Sequence, residues 1–360
     1  MTQKISADCR HFRALAPCAP HKQSGVRCRC PQYEKTGRRY LIIKLGAIGD
    51  VIRTTPLLRK IKSVHPDAEI WWLTNTPELL PDEVDRKLNF SLASVLQIEE
   101  TRFDFVFSLD KDFEACALAN RVRAKVKRGF ILKGGKAAPA DKAAFHKYFT
   151  GLFDDANKAN VKSYPQEIFE ICGWKFSGEK YLLPDFSQDG YEWDLKLLRP
   201  LAGLNTGCGG RWTSRLLPEQ TWIDAARGLR RAGFGVLLLG GEAEHKRNLL
   251  IAKESGALYP GYFPLRQFIN LVAQTDMVVT GVTMALHIAA GLGKKIVLLN
   301  NIFNPREFEL YGSGAIVEPD KECRCYFSPK CKNSEYFCLD HLPAEKIVAA
   351  ARKLMPVKTA

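Results

Sequence analysis

With 360 residues, 46% of them apolar and 26% charged, the chain reads as a globular protein long enough for two cores rather than a disordered or fibrous one. A balance of 53 basic against 39 acidic residues leaves a net charge of +14, which suits an anionic partner such as nucleotide phosphates, an anionic lipid surface or nucleic acid, and equally a generally basic surface. No apolar run reaches membrane-spanning length and the N-terminus lacks a signal-peptide core, so the protein is expected in the cytoplasm, with its 11 cysteines reduced unless they hold metal.

Residues 1–36 stand out as a cysteine-rich extension. Cys9, Cys18, Cys28 and Cys30 lie among Pro, His and Arg with too few aliphatic residues for a core. Four thiolates can order such a segment around zinc or iron, with His11 or His21 as alternative ligands; a tail with idle cysteines is the competing reading. An α/β pattern follows. Residues 40–45 are an apolar strand, Gly46 and Gly49 break it, and a helix spans 50–65 with Pro56 inside it. Strands are expected at 69–74, 94–98, 103–109 and 125–130, a mobile basic loop at 133–144, and helices at 142–153 and 165–174. Residues 177–199 show no clear period and read as the connection between domains. The second half repeats the alternation: strand 201–205, a glycine-rich turn from Thr206, helix 218–232, strand 235–240, helices 243–254 and 264–274, strand 277–280, helix 284–291, strand 295–300 and a closing helix at 343–355. The boundaries that follow are 1–36 for the extension, 37–190 and 200–342 for two Rossmann-like domains facing a cleft, and 343–360 for a C-terminal helix and tail.

Chemistry concentrates at strand ends. Asp50 sits at the mouth of a helix with Gly46 and Gly49 beside it, either as a helix cap or as a carboxylate presented to a ligand. The third glycine of a dinucleotide fingerprint is missing, and so is the GK[ST] of a P-loop. Asp110-Lys111-Asp112 resembles a DxD metal motif, but Asp112 serves equally as a helix cap, with Asp110 toward the cleft. Thr206, Gly207, Gly209 and Gly210 can turn backbone amides toward an anion, with Arg211 and Arg215 adding charge. Glu242 and Glu244 follow the next strand, where carboxylates take up ribose hydroxyls; a solvated helix start is the plainer reading. Thr283 and His287 stand near a third strand end. Cys323, Cys325, Cys331 and Cys338, spaced C-x-C-x5-C-x6-C, read as a structural metal clip. Cys116, Cys172 and Cys208 read as ordinary cysteines.

The stretches IIKLGAIGDVIRTTPLL, NTGCGGRWTSRLLP and VVTGVTMALHIAAGLGKKIVLL, taken in order, resemble the motifs of the glycosyltransferase family 9 heptosyltransferases over about residues 38–355. The resemblance implies a GT-B fold with a nucleotide-sugar donor on the C-terminal domain and a glycolipid or glycan acceptor on the N-terminal one. It also implies inverting transfer of heptose or a related sugar to an envelope glycan such as the lipopolysaccharide core, with no catalytic metal. On this resemblance Asp50 is the general base, Thr206 and Arg215 bind donor phosphate, and Glu244 or Glu242 binds ribose. Arg215 stands where the family usually has Lys. Val282 replaces the usual Asp of the donor-sugar motif, and Asn300 to Asn304 replace its Phe-Gly-Pro, which leaves the donor sugar open.

Two further readings accompany the resemblance. A protein could replace the glycolipid as acceptor within the same family. A non-catalytic nucleotide-sugar or nucleic-acid-binding protein with metal-bound cysteine modules is the reading from another class; the lack of aromatic interleaving in the cysteine segments argues against nucleic acid. A glycolipid acceptor would draw the enzyme to the inner face of the cytoplasmic membrane, where its basic charge meets anionic lipid.

Overall fold

The computed structural model describes residues 4–186, 191–196 and 198–357. The interdomain connection read at 177–199 and the tail end at 360 fall partly outside these residues. The chain forms two compact units, one of Met1–Gly46 and Leu57–Ala144 and the other of Ala47–Pro56 and Phe145–Ala360. The sequence reading divides the domains between 190 and 200; the compact units divide at 144/145, and ten residues following the first strand go with the second unit.

In the first unit, helix α1 (Ala19–Ser24) lies in the cysteine-rich extension, which packs with this unit through Arg10, bonded to Asp85 at 2.6 Å and to the Ala68 carbonyl at 3.0 Å. Strand β1 (Arg39–Ile43) is followed by α2 (Ile48–Ile52) and α3 (Pro56–Val64), the latter leading to β2 (Glu69–Thr74). The remaining elements are β3 (Arg86–Asn89), α4 (Leu92–Glu100), β4 (Arg102–Ser108), α5 (Phe113–Arg121), β5 (Arg123–Lys133) and β6 (Lys136–Pro139). The sheet runs β3-β2-β1-β4-β5-β6, parallel except for the β5–β6 pair. Tyr40 to Ile43 are fully buried, as the continuous apolar run of a strand covered on both faces requires.

Several expectations are corrected here. The strand expected at 94–98 is helix α4: Ser91 caps it by accepting from the Ser94 amide, and Val95 and Ile98, one turn apart, turn to the core. The expected mobile loop at 133–144 is mostly a hairpin, reversing at Gly134 and Gly135, whose φ values of +56° and +74° suit a tight primed turn. The helix expected over 50–65 is two helices. Pro56 cannot donate to the preceding turn, and the Thr54 and Thr55 hydroxyls fold back onto the Asp50 and Ile52 carbonyls at 2.7 Å each.

Helix α6 (Lys142–Thr150) straddles the division between the units. The second unit then holds α7 (Asp154–Ala159), α8 (Tyr164–Ile171), β7 (Leu201–Asn205), α9 (Glu219–Arg231), β8 (Gly235–Leu239), α10 (His245–Ser255) and α11 (Leu265–Ala273). It continues with β9 (Met277–Gly281), α12 (Met284–Gly291), β10 (Lys295–Leu299), β11 (Gly314–Val317) and α13 (Ala344–Leu354). Its sheet is parallel throughout, in the order β11-β10-β9-β7-β8. Trp222, Ala225, Ala226 and Leu229 of α9 share one buried cluster with Ile347 and Ala351 of α13, so the closing helix covers this sheet. Among the described residues no helix is long and apolar enough to cross a membrane.

Asp110 ties the glycine turn after β1 to the end of β4. One carboxylate oxygen pairs with the buried Lys44 ammonium, and the other accepts from the Leu45 and Gly46 amides. Both oxygens are thus committed to structure, which is why the Asp110-Lys111-Asp112 run is not a metal motif. Asp110→Ala is expected to destabilise the protein by ~3–5 kcal/mol, as when one side of a buried pair is removed; urea unfolding measures it.

Candidate functional site

Asp50 lies in the first turn of α2, and Ala47, not Asp50, occupies the cap position. Helix α2 packs on α12: a Cβ placed on Gly49 would come within 2.5 Å of the His287 ring, so the missing side chain at 49 is what admits the imidazole. The Asp50 carboxylate remains about one-third exposed and pairs with Arg53 at 2.9 Å. The Arg53 guanidinium lies 3.5 Å from the centre of the Tyr164 ring on α8, a cation–π stack. His287 is 7% exposed, and burial, then the Arg53 charge, push its pKa down to about 3, with Asp50 opposing. Its ring is therefore neutral at physiological pH and acts as a packed polar surface rather than an acid.

A hydrogen-bonded path leads from α12 to the glycine-rich turn. Thr283 occupies the position before α12, and its hydroxyl lies 3.0 Å from that of Thr280. The Asn205 side-chain amide at the end of β7 donates to Thr280 at 3.1 Å, to Thr283 at 3.2 Å and to the Gly207 carbonyl at 3.4 Å. Thr206 is buried, and its hydroxyl donates to Asn248 at 2.5 Å, so it anchors the turn onto α10. Gly209 and Gly210 are exposed, with open space where side chains would stand.

Two arginines flank this turn. The Arg215 guanidinium donates to the Cys208 carbonyl at 2.9 Å and stacks near Trp212 and Phe303, while its buried Nε has no hydrogen-bond partner. Arg247, which the sequence reading missed, donates to the Leu217 carbonyl, and its Nε is likewise buried and unsatisfied. Burial disfavours the charged form of both. Among the described residues no carboxylate forms an ion pair with either. Two partly buried guanidinia with open donors beside exposed glycines can take up an anion. Arg211 is exposed and sits over Trp212. Of the two glutamates, Glu244 faces the turn: its carboxylate accepts from the Gly241 amide at 2.9 Å and occupies the space of a Gly207 side chain, whereas Glu242 is exposed. A signal for Arg247 existed in its position three residues after Glu244, one helical turn along.

The asparagines that replace the sugar-side motif make structural bonds. Asn301 donates to the Ser214 carbonyl at 2.8 Å, and Asn304 donates to the Asn157 and Asn160 carbonyls at 2.7 Å each. The cysteines expected to hold zinc or iron lie in two groups. Cys325 and Cys331 lie 3.6 Å apart, Cys325 accepts from the Lys332 amide at 3.0 Å, and Cys338 hydrogen-bonds to Cys323 and to Asn301. The contacts thus group Cys325 with Cys331 and Cys323 with Cys338. Cys9, Cys18, Cys28 and Cys30 line one small cavity together with Phe12 and Tyr33. Among the described residues no group of three or more His, Cys, Asp or Glu side chains is placed to hold a metal ion.

Comparison with known proteins gives a consistent picture. The profile of glycosyltransferase family 9 (heptosyltransferase) matches residues 92–336. The chain is 23% identical over 297 residues to the lipopolysaccharide core heptosyltransferase OpsX of Haemophilus influenzae, covering 76% of this chain and 82% of that protein. It is 25% identical over 304 residues to lipopolysaccharide heptosyltransferase 2 of Salmonella typhimurium, covering 74% and 84%. The crystal structure of a family 9 glycosyl transferase from Veillonella parvula superposes with a TM-score of 0.66 at 16% identity, over 88% of this chain and 97% of that one, a likeness of fold.

Two outcomes follow from the geometry. Arg215→Ala is expected to weaken nucleoside-diphosphate binding by ~1.5–3 kcal/mol, the worth of a charge-assisted hydrogen bond, with Arg211→Ala smaller; calorimetry measures both. His287 protonates near 6.5 when exposed but only near 3 in the fold. Its contribution to stability is therefore complete above pH 6.5 and is lost progressively as the pH falls toward 3. Between pH 7 and 5 the wild type should lose about 2 kcal/mol more than His287→Gln, read from urea unfolding at each pH.

Proposed function

The chain belongs to glycosyltransferase family 9, and from that membership we propose that it is an inverting enzyme that moves heptose or a related sugar from a nucleotide-diphosphate donor to the lipopolysaccharide core. The observation that carries the reading is the continuous run of contacts from Asp50 to the glycine-rich turn. Gly49 meets His287, α12 begins at Thr283, Asn205 bonds Thr283 and Gly207, and Glu244 packs on Gly207. A partly exposed carboxylate and an anion-binding turn thereby belong to one compact unit.

In the reaction, an acceptor hydroxyl attacks the anomeric carbon while Asp50 accepts its proton. The bond from that carbon to the diphosphate breaks on the opposite face, and the electron pair leaves with the nucleoside diphosphate. The amides of residues 207–210 and the Arg215 guanidinium, with Arg247 beside them, stabilise the charge that develops there. Glu244, packed against Gly207, is the carboxylate assigned to a ribose hydroxyl. A heptosyltransferase of similar fold from E. coli, named for ADP-heptose, supports that donor as the first to test. Val282, a residue without a hydrogen-bonding side chain at the donor-sugar motif, favours a site that grips the sugar less through hydroxyls and more through the diphosphate. A glycolipid acceptor sets the work at a membrane surface, where the +14 net charge is attractive to anionic headgroups.

The test is transfer from ADP-heptose to lipopolysaccharide core, with products identified by mass spectrometry. Asp50→Ala should lower turnover roughly 10²- to 10⁴-fold while ADP affinity stays within a factor of about two, because a base acts on the proton and not on the diphosphate. Near-normal turnover in this variant would reduce Asp50 to a surface member of an ion pair.

A further inference from the structure

Arg53 has no role in the reading above, yet it is the most constrained charged side chain near Asp50. Its side chain is 14% exposed against 35% for Asp50, so the cation is the buried member of the pair and the carboxylate the presented one. The guanidinium is fixed from two sides: one nitrogen bonds Asp50 at 2.9 Å, and the plane rests 3.5 Å from the centre of the Tyr164 ring. Tyr164 is itself immobilised. It is 4% exposed and opens α8, whose start is locked by a reciprocal cap between Ser163 and Gln166. The backbone is held too, since the Thr54 hydroxyl donates to the Asp50 carbonyl at 2.7 Å. A short helix such as α2, five residues long, would not orient a carboxylate by itself.

We propose that Arg53 is the positioning residue that fixes the Asp50 carboxylate in place for proton abstraction from the acceptor. This rests on the reading of Asp50 as the general base. The role needs arginine. A planar guanidinium can stack on a ring and bond a carboxylate at once, whereas a lysine ammonium supplies the charge without the stack. The other titratable groups acting on the pair are Tyr164 from α8, His287 from α12, Tyr181, and Glu307 from the segment after β10, with Glu309 acting on Tyr181. Burial keeps His287 and Tyr181 uncharged between pH 5 and 8, so neither can substitute for the arginine charge.

Pairing with a cation favours the ionised carboxylate, so removing Arg53 raises the pH at which Asp50 takes a proton. The experiment follows the Asp50 carboxyl by carbon-13 NMR in aspartate-labelled full-length protein, its signal assigned by its loss in Asp50→Asn. Arg53→Met should move the titration upward by about one pH unit or more, and Arg53→Lys should restore part of that shift. With ADP-heptose and lipopolysaccharide core, the acid limb of kcat/KM should move up in parallel, and kcat should fall about 10²-fold with KM for ADP-heptose unchanged. A carboxyl that titrates at the same pH in Arg53→Met and wild type would overturn the proposal. So would an unmoved acid limb while Asp50→Asn is inactive. Wild-type turnover in Asp50→Asn would instead overturn the general-base reading, and the NMR shift would then report an ion pair without catalytic consequence.

Discussion

The structure of the site depends on the absence of one side chain. Gly49 lets the His287 ring lie where a Cβ would be, and through that contact α2 becomes part of the unit built on the β7–β11 sheet. Two consequences follow from a single packing constraint. The ten residues after the first glycine turn leave the unit in which their strand lies, and the carboxylate they carry joins the surface that contains the second glycine-rich turn. His287 can fill this place only because burial keeps it neutral; a protonated imidazole next to the Arg53 guanidinium would be repelled.

Three arginines divide the electrostatic work according to what each touches. Arg53 is matched to a carboxylate and an aromatic ring, so its charge is spent within the protein. Arg215 and Arg247 bond only backbone carbonyls through the contacts seen, and each keeps a buried Nε without a partner. A partly buried guanidinium satisfied by carbonyl dipoles alone keeps donor capacity that an anion would use. Glu244 lies against the same turn, and its bond to the Gly241 amide holds it there.

Several groups that look chemical in the sequence also have structural partners. Asp110 is surrounded by a lysine and two amides and closes the turn after β1. Asn301 and Asn304 tie the segment after β10 to Ser214 and to the loop around Asn157 and Asn160. Thr206 spends its hydroxyl on Asn248, leaving the exposed glycines beyond it to meet a ligand. The cysteines at 323–338 pair with one another and with amide donors. In each case the residue type announces a capacity, and the neighbours decide whether it is used internally.

The sequence by itself determined the alternation of strands and helices in both halves, the two glycine turns at strand ends, and Asp50, Arg215 and Glu244 as residues to watch. Those features follow from local periodicity and from backbone needs that residue types declare directly. Short elements with weak periods were less legible. The α4 helix rests on a serine cap and two core-facing residues, Val95 and Ile98, β3 is a charged strand of four residues, and the β5–β6 hairpin is marked only by Gly134-Gly135. Only tertiary structure decided that α2 packs with α12, that Arg53 reaches back to Asp50 while lying on Tyr164, and that Arg247 joins Arg215 at the turn. These are contacts between residues more than a hundred positions apart, or choices among rotamers made by burial. A side chain's neighbours across such distances are set by how sheets and helices stack, and no pattern within one window of sequence carries that information.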